Sequence, residues 1–85
     1  MMDSLVVEFL GTALLIASGA FGGPLLVIAA LAIAVYFGGK ISGAYFNPAV
    51  TLFKFLSGNI GRTKALYYVL AQYSAAILIF FLYTM

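Results

Sequence analysis

The chain has 85 residues, of which 66% are hydrophobic and 7% are charged, and its formal net charge is +2. Soluble domains usually carry about a quarter charged residues, so this composition excludes a water-exposed globular protein and indicates a chain embedded in lipid. The sequence contains no Cys and no His, which excludes disulfides, thiol chemistry and imidazole bases. Its four basic residues are dispersed, and a nucleic-acid partner is therefore not expected.

Two apolar segments open the chain. The stretch from Leu5 to Phe37 is too long for one helix across a hydrocarbon core of roughly 30 Å. Residues 21–24 (Phe-Gly-Gly-Pro) break it, because paired glycines permit a turn and proline suits the first turn of a helix. We predict antiparallel spans at about residues 3–21 and 24–38. A later apolar run predicts a third span at about residues 65–85.

The segment between the second and third spans, about residues 40–57, has a different character. Asn47 suits a helix N-cap and Pro48 suits the first helical position. A helix from Pro48 to about Leu56 would be about 13 Å long, half the thickness of a membrane. Irregular backbone at membrane depth is tolerated only where protein buries it or where it lines a water-filled cavity. The segment therefore predicts a re-entrant loop that lines a pore. The alternative is a loop packed within the protein, in which Asn47 would be a simple N-cap.

Three strings in the sequence resemble one family. The string ISGAYFNPAVTL at residues 41–52 is similar to the first Asn-Pro-Ala box of the aquaporins and glycerol facilitators, the major intrinsic proteins. VEFLGT at residues 7–12 and ALYYVLAQ at residues 65–72 extend the resemblance. It implies an all-α membrane protein in which residues 1–85 form a single membrane domain. That domain would hold three transmembrane helices and one re-entrant half-helix, half of an inverted repeat. The family's second box and the Arg after it are absent from these residues.

The resemblance also assigns pore-lining residues. It places Asn47, Pro48 and Ala49 at the centre of the pore, and the carbonyl groups of Gly43, Ala44 and Tyr45 in a row of acceptors that leads there. Many relatives carry His where this chain has Tyr45. Val27 would lie at the narrow filter, where strict water channels tend to carry Phe, and would leave a wider constriction that admits glycerol as well as water. The alternative is that Val27 faces lipid.

Two polar residues within the spans are predicted to support the loop. Glu8 is an ionisable residue inside the first span, which is costly unless it is paired. The resemblance implies that Glu8 supports the box loop and that Gln72 does the same from the third span. The alternative for Glu8 is a side chain that reaches the membrane surface.

The distribution of charge predicts an orientation. The turn at residues 21–24 is uncharged, whereas Lys40, Lys54, Arg62 and Lys64 belong to the opposite side. Because cytoplasmic loops carry an excess of Lys and Arg, we predict an integral membrane protein with a cytoplasmic N-terminus.

These features predict half of a passive channel for water and small neutral solutes such as glycerol, surrounded by the lipid bilayer. It would work with a complementary second half or as a homo-oligomer. The apolar end at Met85 favours a truncated or split reading frame, so the alternatives are a non-transporting fragment, a small structural or assembly protein, or an oligomeric pore of different geometry. No nucleophile and base pair, metal cluster or phosphate loop is present, so we expect no enzyme activity, cofactor or metal.

Overall fold

A computed structural model describes every residue from Met1 to Met85. It contains four helices and no strand: α1 (Met2–Phe21), α2 (Pro24–Ser42), α3 (Pro48–Leu56) and α4 (Arg62–Thr84). The three longest helices have the length and the hydropathy required to cross a membrane, and α3 has nine residues. The predicted all-α membrane fold, with three long helices and one half-length helix, is confirmed.

The helix boundaries follow from local sequence. Pro24 occupies the first turn of α2 after the extended Gly23. This helix continues to Ser42, four residues beyond the predicted end at Gly38, because Gly38 and Gly39 remain helical and Gly43 provides the left-handed cap at φ 89°. Helix α4 begins at Arg62, before the predicted residue 65, since its first turn is polar and apolar periodicity does not detect it.

Helix α1 lies at the centre of the bundle. It packs against α2 and α4, and α3 packs against α4. Helices α1 and α4 run parallel: Gln72 contacts Glu8 midway along the interface, and the rings of Phe21 and Tyr83 meet near the far end with centroids 5.7 Å apart.

The interior of the bundle contains both polar and apolar side chains, whereas its outer surface is largely apolar. The buried side chains of α1 are small or polar (Ser4, Glu8, Thr12 and Ser18), whereas large apolar side chains such as Leu25 are exposed. Because lipid is as apolar as these side chains, close packing and internal hydrogen bonds hold such helices together. The same arrangement leaves buried polar groups available to hold irregular backbone.

Candidate functional site

The connection between α2 and α3 has an unusual backbone. Gly43, Ala44 and Phe46 all have positive φ, at 89°, 56° and 53°. A non-glycine residue in this conformation costs of order 1–3 kcal/mol and persists only when its surroundings determine it. The contacts that hold residues 43–47, which we call the box loop, therefore decide its structure.

Glu8 provides the main contact inside the bundle. Its side chain is fully buried, and its two carboxylate oxygens accept hydrogen bonds from the backbone N–H groups of Tyr45 at 3.0 Å and Phe46 at 2.8 Å. Successive N–H groups that converge on one anion form a favourable electrostatic arrangement. The structure thus places the Glu8 carboxylate against the box loop.

Gln72 connects this carboxylate to α3. Its amide nitrogen donates to Glu8 Oε1 at 2.9 Å and to Thr51 Oγ1 at 2.8 Å. The Thr51 hydroxyl in turn donates to the backbone carbonyl of Asn47 at 3.0 Å. All three side chains are buried. A continuous network therefore runs from α1 through α4 to the start of α3.

Asn47 is the N-cap of α3. Its backbone is extended, and its side-chain Oδ1 accepts a hydrogen bond from the Ala49 N–H at 2.7 Å. The residue is exposed, and its amide nitrogen donates no hydrogen bond within the chain. The positive end of α3 is thus fixed by a side chain that keeps a free donor.

Carbonyl groups of the box loop before Asn47 are also free. Those of Gly43, Ala44 and Tyr45 accept no hydrogen bond from the chain, although the Tyr45 N–H is bound to Glu8. Irregular backbone at membrane depth needs partners from protein or from water. The loop therefore offers free acceptors on its way to the free donor of Asn47.

A second group of residues supports the start of the box loop. The Tyr68 hydroxyl donates to the Ser42 carbonyl at 2.7 Å, and the Ser42 hydroxyl accepts from the Ala44 N–H at 3.1 Å. The ring of Tyr45 stands edge-on to that of Tyr68, with centroids 5.3 Å apart, and the Lys54 ammonium lies 5.8 Å from the Tyr45 centroid. Tyr45 thus belongs to an aromatic cluster at the basic end of the bundle.

Sequence reasoning missed Thr51, Ser42 and Tyr68. For Thr51 and Tyr68, helical spacing from a predicted site residue could have indicated their position. Thr51 lies one helical turn after the N-cap Asn47, and Tyr68 lies one turn before Gln72, on the same face of α4.

Val27 lies apart from the other predicted residues. It is in the first turns of α2, about 24 Å along the helix axis from Gly43. Its side chain is half-buried beside α1, where a methyl group built on Gly19 would lie 3.7 Å from it. The structure does not bring Val27 to the box loop, and its place at a filter stays a prediction.

The chain is similar in sequence to proteins of one known family. Residues 20–84 match the family described as Major intrinsic protein. The glycerol uptake facilitator protein of Streptococcus pneumoniae serotype 4 is 40% identical over 92% of the chain and 41% of its own length. Aquaporin-3 of the tardigrade Milnesium tardigradum is 44% identical over 67% of the chain and 16% of its own length.

The chain thus spans 41% of the length of its pneumococcal relative. No solved structure matches it. The family match covers most of the chain and includes the box loop, α3 and Gln72. The chain belongs to the major intrinsic protein family.

Proposed function

We propose that the chain supplies the first half of a passive membrane channel for water and small neutral solutes such as glycerol. The observation that carries this proposal is the box loop, with the free carbonyl groups of Gly43, Ala44 and Tyr45 and the free amide donor of Asn47. A solute that carries hydroxyl groups both donates and accepts hydrogen bonds, so it can replace its lost water partners along such a path. The chain contributes no covalent chemistry to the transfer.

The charge pattern of the loop favours neutral solutes. The N-terminus of α3 presents the positive end of a helix dipole at Asn47, and no acidic side chain other than the fully buried Glu8 lies near it. A cation or a migrating proton meets an unfavourable field there. A neutral solute does not, because its oxygen atoms accept hydrogen bonds from the Asn47 amide.

Glycerol enters the proposal on two grounds. The bacterial relatives, including a protein of Buchnera aphidicola that is 48% identical over 49% of the chain, are named glycerol uptake facilitators. Val27 would leave a wider constriction than Phe if it lies at the filter. Plant and tardigrade relatives are named aquaporins, so water belongs to the same proposal.

A complete pore needs a second, inverted half in this architecture. The end of α3 at Asn47 is exposed in the chain, as are Ala49 and Val50, so the surface that a second half would cover is open. The second half would come from another polypeptide segment or from a copy of this chain inserted in the opposite orientation.

The distribution of charge favours another polypeptide segment as the second half. Lys54, Arg62 and Lys64 lie at the same end of the bundle as Lys40, at the start of α4 and the ends of α2 and α3, whereas residues 21–24 carry no charge. Such asymmetry favours one orientation, with the N-terminus in the cytoplasm. A pore made of two identical copies needs both orientations in comparable amounts.

The test combines topology with flux. Reporter fusions at each end of the chain are expected to place the N-terminus inside and the C-terminus outside. Proteoliposomes that contain the chain alone are expected to conduct little water, and those that also contain a half with the second box are expected to conduct it. Comparable reporter signals for both orientations, together with water flux from the chain alone, would instead establish a homo-oligomer of mixed orientation. Absence of flux in every combination would favour a non-transporting assembly protein.

A further inference from the structure

Phe46 is buried although it adjoins the exposed Asn47. Only 5% of its surface is accessible, and its backbone has φ 53°. Its ring lies against two glycines on different helices. A methyl group built on Gly11 would lie 2.5 Å from Cζ and 2.6 Å from Cδ1 of the ring, and one built on Gly38 would lie 3.2 Å from Cζ. The ring thus occupies space that exists because α1 and α2 lack side chains at these points.

These glycines have no local backbone role that explains them. Gly11 and Gly38 lie within helices, where glycine is less favourable than alanine. Gly39, the neighbour of Gly38, faces open space, since a methyl group built on it would meet no atom within 4 Å. The two buried glycines and Val7, whose Cγ1 lies 2.8 Å from the methyl position of Gly38, define what we call the Phe46 slot.

Both the backbone N–H group and the side-chain ring of Phe46 make contacts that fix its position. Its N–H donates to Glu8 Oε1 at 2.8 Å, and its ring fills the slot. Asn47 is the next residue along the chain, so the position of Asn47 relative to α1 and α2 depends on where the ring lies. Glu8 alone fixes the peptide group before Phe46 but not the direction in which the chain leaves it.

We propose that Phe46 is a positioning residue: its ring, seated between Gly11 and Gly38, sets the position of Asn47 and so the geometry of the solute path. This inference rests on the proposed function only for its effect on solutes. The structural part stands on the packing of the ring.

Open space beside the Phe46 ring should limit the effect of a substitution at Gly11 to the box loop. An open apolar groove of 260 Å³ on the surface between α1 and α2 borders Phe46 and both glycines, and exposed apolar side chains such as Leu10 and Phe37 line it. A ring displaced by a methyl group at Gly11 has room to move into this groove. The change is therefore expected to shift the box loop and leave the helices folded.

The test measures hydrogen exchange in the full chain in detergent. Gly11→Ala is expected to increase the exchange rates of the Tyr45 and Phe46 amides by about tenfold, the effect of a typical overpacked core. The exchange rate of the Ala75 amide, within α4, should stay unchanged. Gly39→Ala is the matched control and should leave all three rates at parent values. Unchanged loop exchange in Gly11→Ala would overturn the proposal.

A double-mutant cycle identifies the ring as the cause. Phe46→Ala removes the atoms that Gly11→Ala displaces, so Gly11→Ala should have no further effect in the Phe46→Ala background. Equal effects of Gly11→Ala in both backgrounds would contradict the proposal.

If Gly11→Ala alone does not fold, recovery of folding in the double variant supports the slot, and failure to recover contradicts it. If Phe46→Ala does not fold, the comparison of Gly38→Ala with Gly39→Ala decides, and equal loop exchange in those two variants overturns the slot.

Flux measurements separate this inference from the proposed function. With a complementary half in liposomes, Gly11→Ala should change the ratio of glycerol to water permeability, and Gly39→Ala should not. If loop exchange responds but even the parent chain conducts nothing, the positioning role stands and the proposed channel fails. If the parent conducts and neither loop exchange nor the permeability ratio responds to Gly11→Ala, the positioning role fails alone.

Discussion

Glu8→Ala is expected to remove most of the folded protein. The substitution leaves three donors without an acceptor: the buried N–H group of Phe46, one buried N–H of the Gln72 amide, and the part-buried N–H group of Tyr45. Each unsatisfied donor costs about 1–3 kcal/mol, so the sum is comparable with a typical total stability of about 5–15 kcal/mol. The monodisperse yield in detergent, measured by size-exclusion chromatography, should fall severalfold or more.

Two further variants serve as an intermediate case and a control for this experiment. Glu8→Gln retains one acceptor oxygen, so its yield should lie between those of the parent and Glu8→Ala. Asp3→Ala removes an exposed acidic residue from the first turn of the same helix, and its yield should match that of the parent. A normal yield for Glu8→Ala together with altered solute preference would place Glu8 in the solute path instead of in the support of the loop.

Asn47→Asp is expected to change conduction without changing the fold. Aspartate caps a helix about as well as asparagine, so the hydrogen bond from the Ala49 N–H is retained. The free amide donor is lost, however, and a carboxylate takes its place at the positive end of α3. Water flux in liposomes with a complementary half should fall by at least about tenfold, the effect of an added barrier of about 1.4 kcal/mol, or cations should begin to pass.

Asn59→Asp is the matched control, because it makes the same chemical change at an exposed residue in the turn after α3. Its folded yield and flux should equal those of the parent. Parent-level water flux in Asn47→Asp, with membranes that stay tight to cations, would mean that Asn47 does not lie on the solute path.

The sequence was sufficient to predict the features that depend on local breaks. Gly-Gly-Pro at residues 22–24 and Asn-Pro at residues 47–48 restrict the backbone strongly, and helices α2 and α3 begin where these motifs predict. The predicted contacts of Glu8 and Gln72 with the box loop and its helix rested on a resemblance and on the cost of burying polar groups. Both residues make hydrogen bonds there, and the supporting and pore-lining roles stay predictions.

The remaining features depend on tertiary packing, which local sequence does not reveal. Gly38 and Gly39 suggested the end of a helix, but both are helical, and Gly38 packs against the ring of Phe46. Phe46 itself had no distinguishing feature beyond its apolar character. The hydrogen bond from Tyr68 to the Ser42 carbonyl joins residues 26 positions apart, so only the packed bundle shows it.

The central claim is that the Asn47 end of α3 lines the path of the solute. The chain has no Cys, so Ala49→Cys would place a single thiol at the second position of α3, two residues after Asn47. Water flux should be measured with this variant and a Cys-free complementary half, before and after a water-soluble mercurial. The account predicts that the reagent blocks Ala49→Cys, whereas the parent and Leu66→Cys, whose thiol would replace an exposed apolar side chain of α4, stay unaffected. Undiminished flux through fully labelled Ala49→Cys would contradict it.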